Sequence, residues 1–331
     1  MEIIGVDVRD EKARQEFYAI EQEVIRHDLP HGWERTYESF EQWALLPDNP
    51  HRRTIHLAAT VEGTWVGTAE VGLSLQDNPH FAEVEVAVRP AARRDGVGRT
   101  LFERVEAICA ENGRTTLCGE IHLRQGDDLA DSAAGRFGSR FGFESVHQED
   151  HLVLDLPASV DHLAGAVDVS PSGYDIVLWG EHCPDEYVED FAMMRTQMAN
   201  DVPIGEIDWE AVVIDTQRLR AGESRVAKGW IPIVAAARRR ADGVMGGYSM
   251  LLLPRGGELV MQDDTLVMPQ HRGHRLGTAL KLATLGVVRS QYPQRTAIHT
   301  WTEPDNHAMQ RTNADFGFTA RERLHELQRK R

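Results

Sequence analysis

The apolar positions of this chain switch between a period of two and a period near 3.6, and they do so twice in the same order. Ile3 to Val8 reads as a first strand, and Asp175 to Leu178 reads likewise in the second half. Amphipathic helices follow. In the second half Tyr187, Phe191, Met194 and Met198 fall at i, i+4, i+7 and i+11, one helical face that reads as core. Two strands then turn at Glu62-Gly63, and two more at Asp242-Gly243, both Xaa-Gly hairpin signals. A further strand covers Glu83 to Val88, and its counterpart covers Leu259 to Val267. A proline that cannot donate to a sheet ladder follows each. A glycine-containing loop then opens a helix, striped by Leu101, Val105 and Ile108 in one half and by Leu276, Leu280 and Val287 in the other. A strand (Thr116 to His122; Ala297 to Trp301), a helix ending at Gly-Phe and a closing strand complete each pattern.

The two patterns are copies. Pro90 and Pro269, Arg93 and Arg272, Gly98 and Gly277, and Gly67 and Gly246 all lie 179 residues apart. Gly142-Phe143 and Gly317-Phe318 lie 175 apart. A nearly constant offset of that length is a duplicated domain rather than a solenoid repeat. The expected division is a domain over 1–156, a linker over 157–173 and a domain over 174–331. The segment Leu156 to Gly173 is small, carries Pro and Gly, and shows no periodicity. A chain of 331 residues suits two domains of about 150 residues each.

Composition narrows the chemistry. There are 52 acidic residues against 36 basic ones, a formal charge of -16. Phosphate backbones need a positive surface, so nucleic acid is excluded as a general partner, while a cationic acceptor such as an amine fits. No run of about 18 apolar residues is present, so no membrane span is expected. Residues 1–8 lack the basic and apolar stretches of a signal peptide. Cys109, Cys118 and Cys183 have no metal-type spacing and cannot all pair within one chain, which suits a reducing cytoplasm. His271, His274 and His299 read as scattered side chains, so no metal is expected.

The densest signal is a strand, then Val-x-Pro-x-x-Arg-x-x-Gly-x-Gly, then a helix. Glycines let a loop backbone approach a ligand closely. The helix start offers free N–H groups and a partial positive charge, suited to a pyrophosphate. Arg93, Arg94 and Arg99 flank the first loop, and Arg272, His274 and Arg275 the second, adding charge-assisted bonds. There is no P-loop, no Gly-x-Gly-x-x-Gly and no His-Glu-x-x-His.

This arrangement resembles the acetyl-CoA-binding motif of the GCN5-related N-acetyltransferase (GNAT) family, Gln/Arg-x-x-Gly-x-Gly/Ala, across nearly all of both halves. Arg93, Gly96 and Gly98 match it in full. In the second half Arg272 and Gly277 match, Arg275 stands at the first glycine position, and Gly273 lies beside it. The resemblance implies an α/β (α+β) fold: a tandem duplication of the acyl-CoA N-acyltransferase fold, each half a mixed central sheet flanked by helices. The layout is like that of the two-domain mycothiol synthase type. It also implies acetyl-CoA as co-substrate, with the pantetheine arm added beside the strand carrying Val86 and Val88, or Val267. The cofactor contacts it implies are these three together with Arg93, Arg94, Gly96, Val97, Gly98, Arg99, Arg272, Gly273, His274, Arg275, Leu276, Gly277, Thr278 and Asn306.

Transfer needs a neutral amine, so a general base is sought on the strand before the loop. Glu83 and Glu85 share one strand face in the first half. Asp263 and Asp264, beside Gln262, are the candidates in the second, and a strand bulge in the family leaves the choice between neighbours open. Relatives carry Asn-x-x-Ala-x-x-x-Tyr-x-x-x-Gly-Phe in the last helix, the Tyr acting as acid for the thiolate. The second half reads Asn306, Met309, Asn313, Gly317, Phe318, and the first reads Asp131, Ala134, Gly138, Gly142, Phe143. Neither keeps the Tyr, and surviving Asn306 inclines the reading to the C-terminal half as the active one. The expected activity is acetyl transfer from acetyl-CoA to a primary amine of a small-molecule acceptor by direct attack in a ternary complex, in a monomer or homodimer. The alternatives are a catalytically silent acyl-CoA-binding module and acetylation of a protein amine.

Overall fold

Strand exchange, rather than chain order, sets the architecture. The computed structural model describes residues 1–29, 32–45, 51–158, 160, 163, 173–201 and 205–330, so most of the expected linker lies outside the described residues. The first repeat runs β1 (Glu2–Val6), α1 (Glu11–Asp28), α2 (Tyr37–Ala44), β2 (Arg52–Val61), β3 (Thr64–Ser74), β4 (Phe81–Val88), α3 (Val97–Glu111), β5 (Thr116–Arg124), α4 (Ala133–Arg140) and β6 (Glu144–Asp155). The second runs β7 (Tyr174–Trp179), α5 (Val188–Asp201), α6 (Thr216–Gly229), β8 (Trp230–Arg239), β9 (Met245–Pro254), β10 (Leu259–Val267), α7 (Leu276–Gln291), β11 (Ala297–Thr302), α8 (His307–Phe316) and β12 (Thr319–Lys330). This is the tandem α/β arrangement, each half a mixed sheet flanked by helices, that the resemblance implied.

Contacts divide the chain into two units that interleave in sequence. The first is Met1–Glu149, Ile204–Glu210 and Arg321–Arg331, and the second is Asp150–Pro203 and Ala211–Ala320. In the first unit the strand order is β1-β2-β3-β4-β5-β12. All neighbours are antiparallel except β4 and β5, which are parallel. In the second the order is β6-β11-β10-β9-β8-β7, with β10 and β11 the parallel pair. The closing strand of each repeat therefore completes the other unit. β12 pairs with β5 from Glu322↔Arg124 to Lys330↔Thr116, and β6 pairs with β11 from Asp150↔Thr302 to Asp155↔Ala297. The order of elements along the chain carries no trace of this, because each closing strand follows its own repeat directly in sequence while its pairing partner lies in the other repeat. The division 1–156, 157–173 and 174–331 follows the repeat, whereas the compact units follow strand pairing.

Burial explains why the exchanged pieces hold. Leu324 and Leu327 of β12 are buried in the first unit, each side chain worth roughly 2 kcal/mol. Residues 205–210, which precede α6, also dock there. The Asp208 N–H donates to Gln328 Oε1 at 2.7 Å, and Trp209 meets the Phe81 ring edge-on at 5.2 Å between centroids. The first core gathers Leu57, Val71, Leu73, Leu101, Phe102 and Leu117 between α3 and the sheet, and Phe17, Ile20 and Phe40 cover the opposite face. In the second unit the α7 stripe runs Leu276, Leu280, Thr284, Val288; Val287, expected on it, packs half-buried beside it. Among the described residues no helix is long and apolar enough to cross a membrane.

Candidate active sites

In each unit the parallel pair opens partway along. β4 and β5 pair only from Phe81↔Thr116 to Glu83↔Cys118. β10 and β11 pair only from Leu259↔Ala297 to Met261↔His299. Beyond those points the strands splay, and the β4 edge carrying Val86 and Val88 and the β10 edge carrying Val267 no longer face a neighbouring ladder there. An extended ligand can add to such an edge as a further strand.

Both splays lead into the same loop conformation, built with opposite residues. In the first unit Arg94 (φ 72°) and Gly96 (φ 87°) are left-handed, and Gly96 caps α3. In the second, Gly273 (φ 84°) and Arg275 (φ 56°) take those two places, and Arg275 caps α7. The arginine at the first glycine position is thus accommodated in a left-handed cap, and the neighbouring glycine supplies the other left-handed residue. Helix geometry then leaves the N–H groups of Val97, Gly98 and Arg99, and of Leu276, Gly277 and Thr278, without intrahelical acceptors. Arg94, Arg99, Arg272, His274 and Arg275 are exposed around them. Arg93 is differently employed. Its Nε donates to Val88 O at 3.0 Å and its two Nη atoms to Asp28 at 2.8 Å each, bracing the loop against α1. Among the described residues Arg272 keeps only the strand contact, Nε to Val267 O at 3.2 Å.

The first splay opens onto a cleft of carboxylates. Glu83 is ion-paired with Arg52. Glu85 lies directly across from Glu70 of β3 and shares a small cavity with Glu21 and Phe17 of α1. Glu21 is held by Arg35 at 2.8 Å, and among the described residues no cation bonds Glu85. The Glu85 side chain is open to solvent at the cleft mouth, yet its carboxyl is ringed by protein. That enclosure, then the charges of Glu21 and Glu70, push its pKa up to about 8 against the pull of Arg35.

The second splay is built on a bulge. The register of β10 against β9 shifts between Gln262 and Thr265, which places Asp263 and Asp264 in the irregular stretch. The Gln262 amide stitches it, donating to Met250 O at 2.8 Å and to Asp264 O at 3.0 Å. Arg195 of α5 forks onto both aspartates, at 3.0 Å from Asp263, and the Tyr248 hydroxyl donates to Asp264 at 3.0 Å. Burial and the adjacent Asp263 push Asp264 up to about 6, in spite of Arg195. Arg195 and Tyr248 lie outside the sequence candidates. Arg195 sits one residue beyond Met194 of the apolar stripe, and nothing in spacing pairs it with β10.

The last helices differ in what they offer. Asn306 caps α8, accepting from the Met309 N–H at 3.2 Å. Asn313 is buried, accepts from Lys281 Nζ at 2.8 Å and donates to Thr302 Oγ1 at 3.0 Å. In the first unit Ser132, not Asp131, caps α4, and Leu327 of β12 fills the space beside Gly138. His271 and His299 are buried in separate contacts, with Tyr174 and His151 respectively. Lys281 escapes the motif search because it interrupts an apolar stripe; the 179-residue offset, which sets it opposite Phe102, is the signal that marks it.

Residues 14–138 match the Acetyltransferase (GNAT) family. A mycothiol acetyltransferase of Sanguibacter keddieii is 27% identical over 314 residues, covering 87% of this chain and 88% of that protein. A tandem GNAT protein from the clavulanic acid biosynthesis pathway, in a structure without AcCoA, superposes with a TM-score of 0.83 at 24% identity over 99% of this chain and 98% of its own. A GCN5-related N-acetyltransferase from Sphaerobacter thermophilus gives a TM-score of 0.69 at 14% identity, over 99% of this chain and 95% of its own.

Proposed function

We propose, from the match of residues 14–138 to the Acetyltransferase (GNAT) family and from the geometry of the two splays, that the chain moves an acetyl group from acetyl-CoA to the primary amine of a small-molecule acceptor, by direct attack in a ternary complex. One observation carries the reading. In each unit a carboxylate of raised proton affinity stands just past the last paired residue of the splay: Glu85 beyond Glu83, and Asp264 beyond Met261. An alkylammonium of pKa near ~10 must lose a proton before its nitrogen can attack, and a carboxylate lifted toward neutral pH accepts that proton with a smaller deficit than an ordinary one. Asp263, paired with Arg195, raises the proton affinity of Asp264, while Glu83 is taken up by Arg52.

The loops supply the rest. The first-turn N–H groups of α3 and α7 suit a pyrophosphate, flanked by Arg94 and Arg99 or by Arg272, His274 and Arg275. Arg93 acts as a brace, Gly96, Gly98, Gly273 and Gly277 keep the approach open, and Val86, Val88 and Val267 line the arm. Asn306 fixes the start of α8 beside it. No metal takes part in this scheme, because base, electrophile and leaving group are complete without one. Glu21, Glu70 and Glu85 favour an acceptor with more than one positive charge in the first cleft. Cys109, Cys118 and Cys183 are buried and in no disulfide among the described residues, which suits a reducing, cytoplasmic setting.

The test is release of free CoA thiol from acetyl-CoA with a panel of small mono- and polyamines and of peptides, for wild type, Glu85→Gln and Asp264→Asn. Amine-dependent release, lost in one or both variants, supports the reading. Turnover with peptides alone would move the acceptor to a protein amine, and release no faster than hydrolysis with every amine would sink the assignment.

A further inference from the structure

Among the described residues Lys281 is the one lysine that the fold buries: 3% of it is exposed, on the face of α7 turned to the sheet. Its counterpart in the first unit is Phe102, an ordinary core residue packed on Phe141 and Phe143. The position can therefore be filled by an apolar side chain, and a cation there is not explained by packing. The side chain faces Leu154 of β6, Leu251 of β9, Gln262 of β10 and Ile298 of β11, with Phe316 and Phe318 at 6.0 and 5.2 Å from Nζ. None of these can ionise. Nζ donates to the neutral Asn313 Oδ1 at 2.8 Å, and Asn313 in turn bonds Thr302 at 3.0 Å.

The partners of this group span the second splay. Gln262 is the first β10 residue past the paired stretch, and Thr302 is the last residue of splayed β11. The geometry points to Lys281 as the proton donor to the sulfur that leaves when an acyl thioester is cleaved in the second unit. The assignment rests on the transferase reading above. As the acceptor nitrogen attacks, the C–N bond forms, the C–S bond breaks and its electron pair stays on sulfur. The thiolate takes a proton from the Lys281 ammonium, and the neutral amine left behind regains one, through solvent, from the proton that the acceptor nitrogen gives up. Asn313 holds Nζ in place. Burial alone lowers the Lys281 pKa to about 7, close enough to a thiol for transfer in either direction.

The experiment uses the full chain and Lys281→Met, an apolar replacement of similar length that the Phe102 precedent says the core accepts. We expect acetyl-CoA affinity within about twofold of wild type, kcat lower by roughly 10²-fold, and loss of the alkaline limb near pH 7 in the kcat profile. A second readout does not depend on turnover. In protein labelled with ¹⁵N-lysine, the Lys281 side-chain resonance, identified by its absence from Lys281→Met, should move on adding CoA and stay put on adding desulfo-CoA, which lacks the sulfur. An unchanged kcat profile in Lys281→Met, or equal response to the two ligands, overturns the assignment. So does turnover that survives Gly277→Trp, which would place the chemistry in the first unit and leave the transferase reading standing. No turnover by wild type with any amine overturns both.

Discussion

Lys281 Nζ donates to Asn313 Oδ1 at 2.8 Å, whereas Phe102, its counterpart in the first unit, packs its ring on Phe143. The two units of one duplication thus answer the same core position with a phenyl ring and an ammonium. That difference has a measurable cost. The folded-state pKa is lowered to about 7 from an ordinary 10.5, so between those values the unfolded chain binds more protons than the folded one. Stability of the second unit should rise with pH across that window and be lowest, and flat, below it. Lys281→Met should raise stability at pH 7 by roughly 2 kcal/mol, a pKa gap worth ~4 kcal/mol less the bond to Asn313 that is left unmade. The gain should fade toward pH 10. Denaturant unfolding at pH 7 and pH 10 checks both the sign and the trend.

The candidate bases separate by pH. A base works ionised, so activity that depends on it is lost as pH falls through its pKa. If Glu85 serves, kcat/KM should fall below about pH 8; if Asp264 serves, below about pH 6. Each limb should vanish in the corresponding variant, Glu85→Gln or Asp264→Asn. A pH–rate profile for wild type and both variants therefore reports which unit turns over.

The loops make a conformational prediction. Gly96 and Gly273 are left-handed, and no heavy atom lies within 4 Å of where an alanine Cβ would stand, so alanine there meets only backbone strain. Each substitution should cost about 1 kcal/mol. Gly286, inside α7 with the same open surroundings and no positive φ, should gain roughly 0.5–1 kcal/mol as alanine. Opposite signs for chemically identical changes, read from thermal unfolding, would isolate backbone geometry from packing.

Strand exchange predicts a displaced effect of truncation. Removing 321–331 deletes the end of the second repeat but the closing strand of the first unit. The amides of β5, Thr116 to Arg124, should lose protection from hydrogen exchange, while those of β11, paired with β6, should keep it. Loss of protection confined to β11 would contradict the pairing.

Much of this protein is written in local pattern. Periodicity, Xaa-Gly turns and the 179-residue offset determined the duplication, the elements and the two strand-loop-helix turns, because each depends on local sequence. Glu83, Glu85, Asp263 and Asp264 were legible as carboxylates on the strands before the loops for the same reason. What tertiary structure decided is everything that depends on distant partners. Arg52 occupies Glu83, enclosure beside Glu21 and Glu70 lifts Glu85, Arg195 forks onto the bulged aspartates, and Asp28 ties the Arg93 guanidinium to α1. The exchange of β6 and β12 belongs here too, since each pairs with a strand far from it in the chain. So does Lys281, whose meaning comes from desolvation by side chains of five other elements, a property no single stretch of sequence contains.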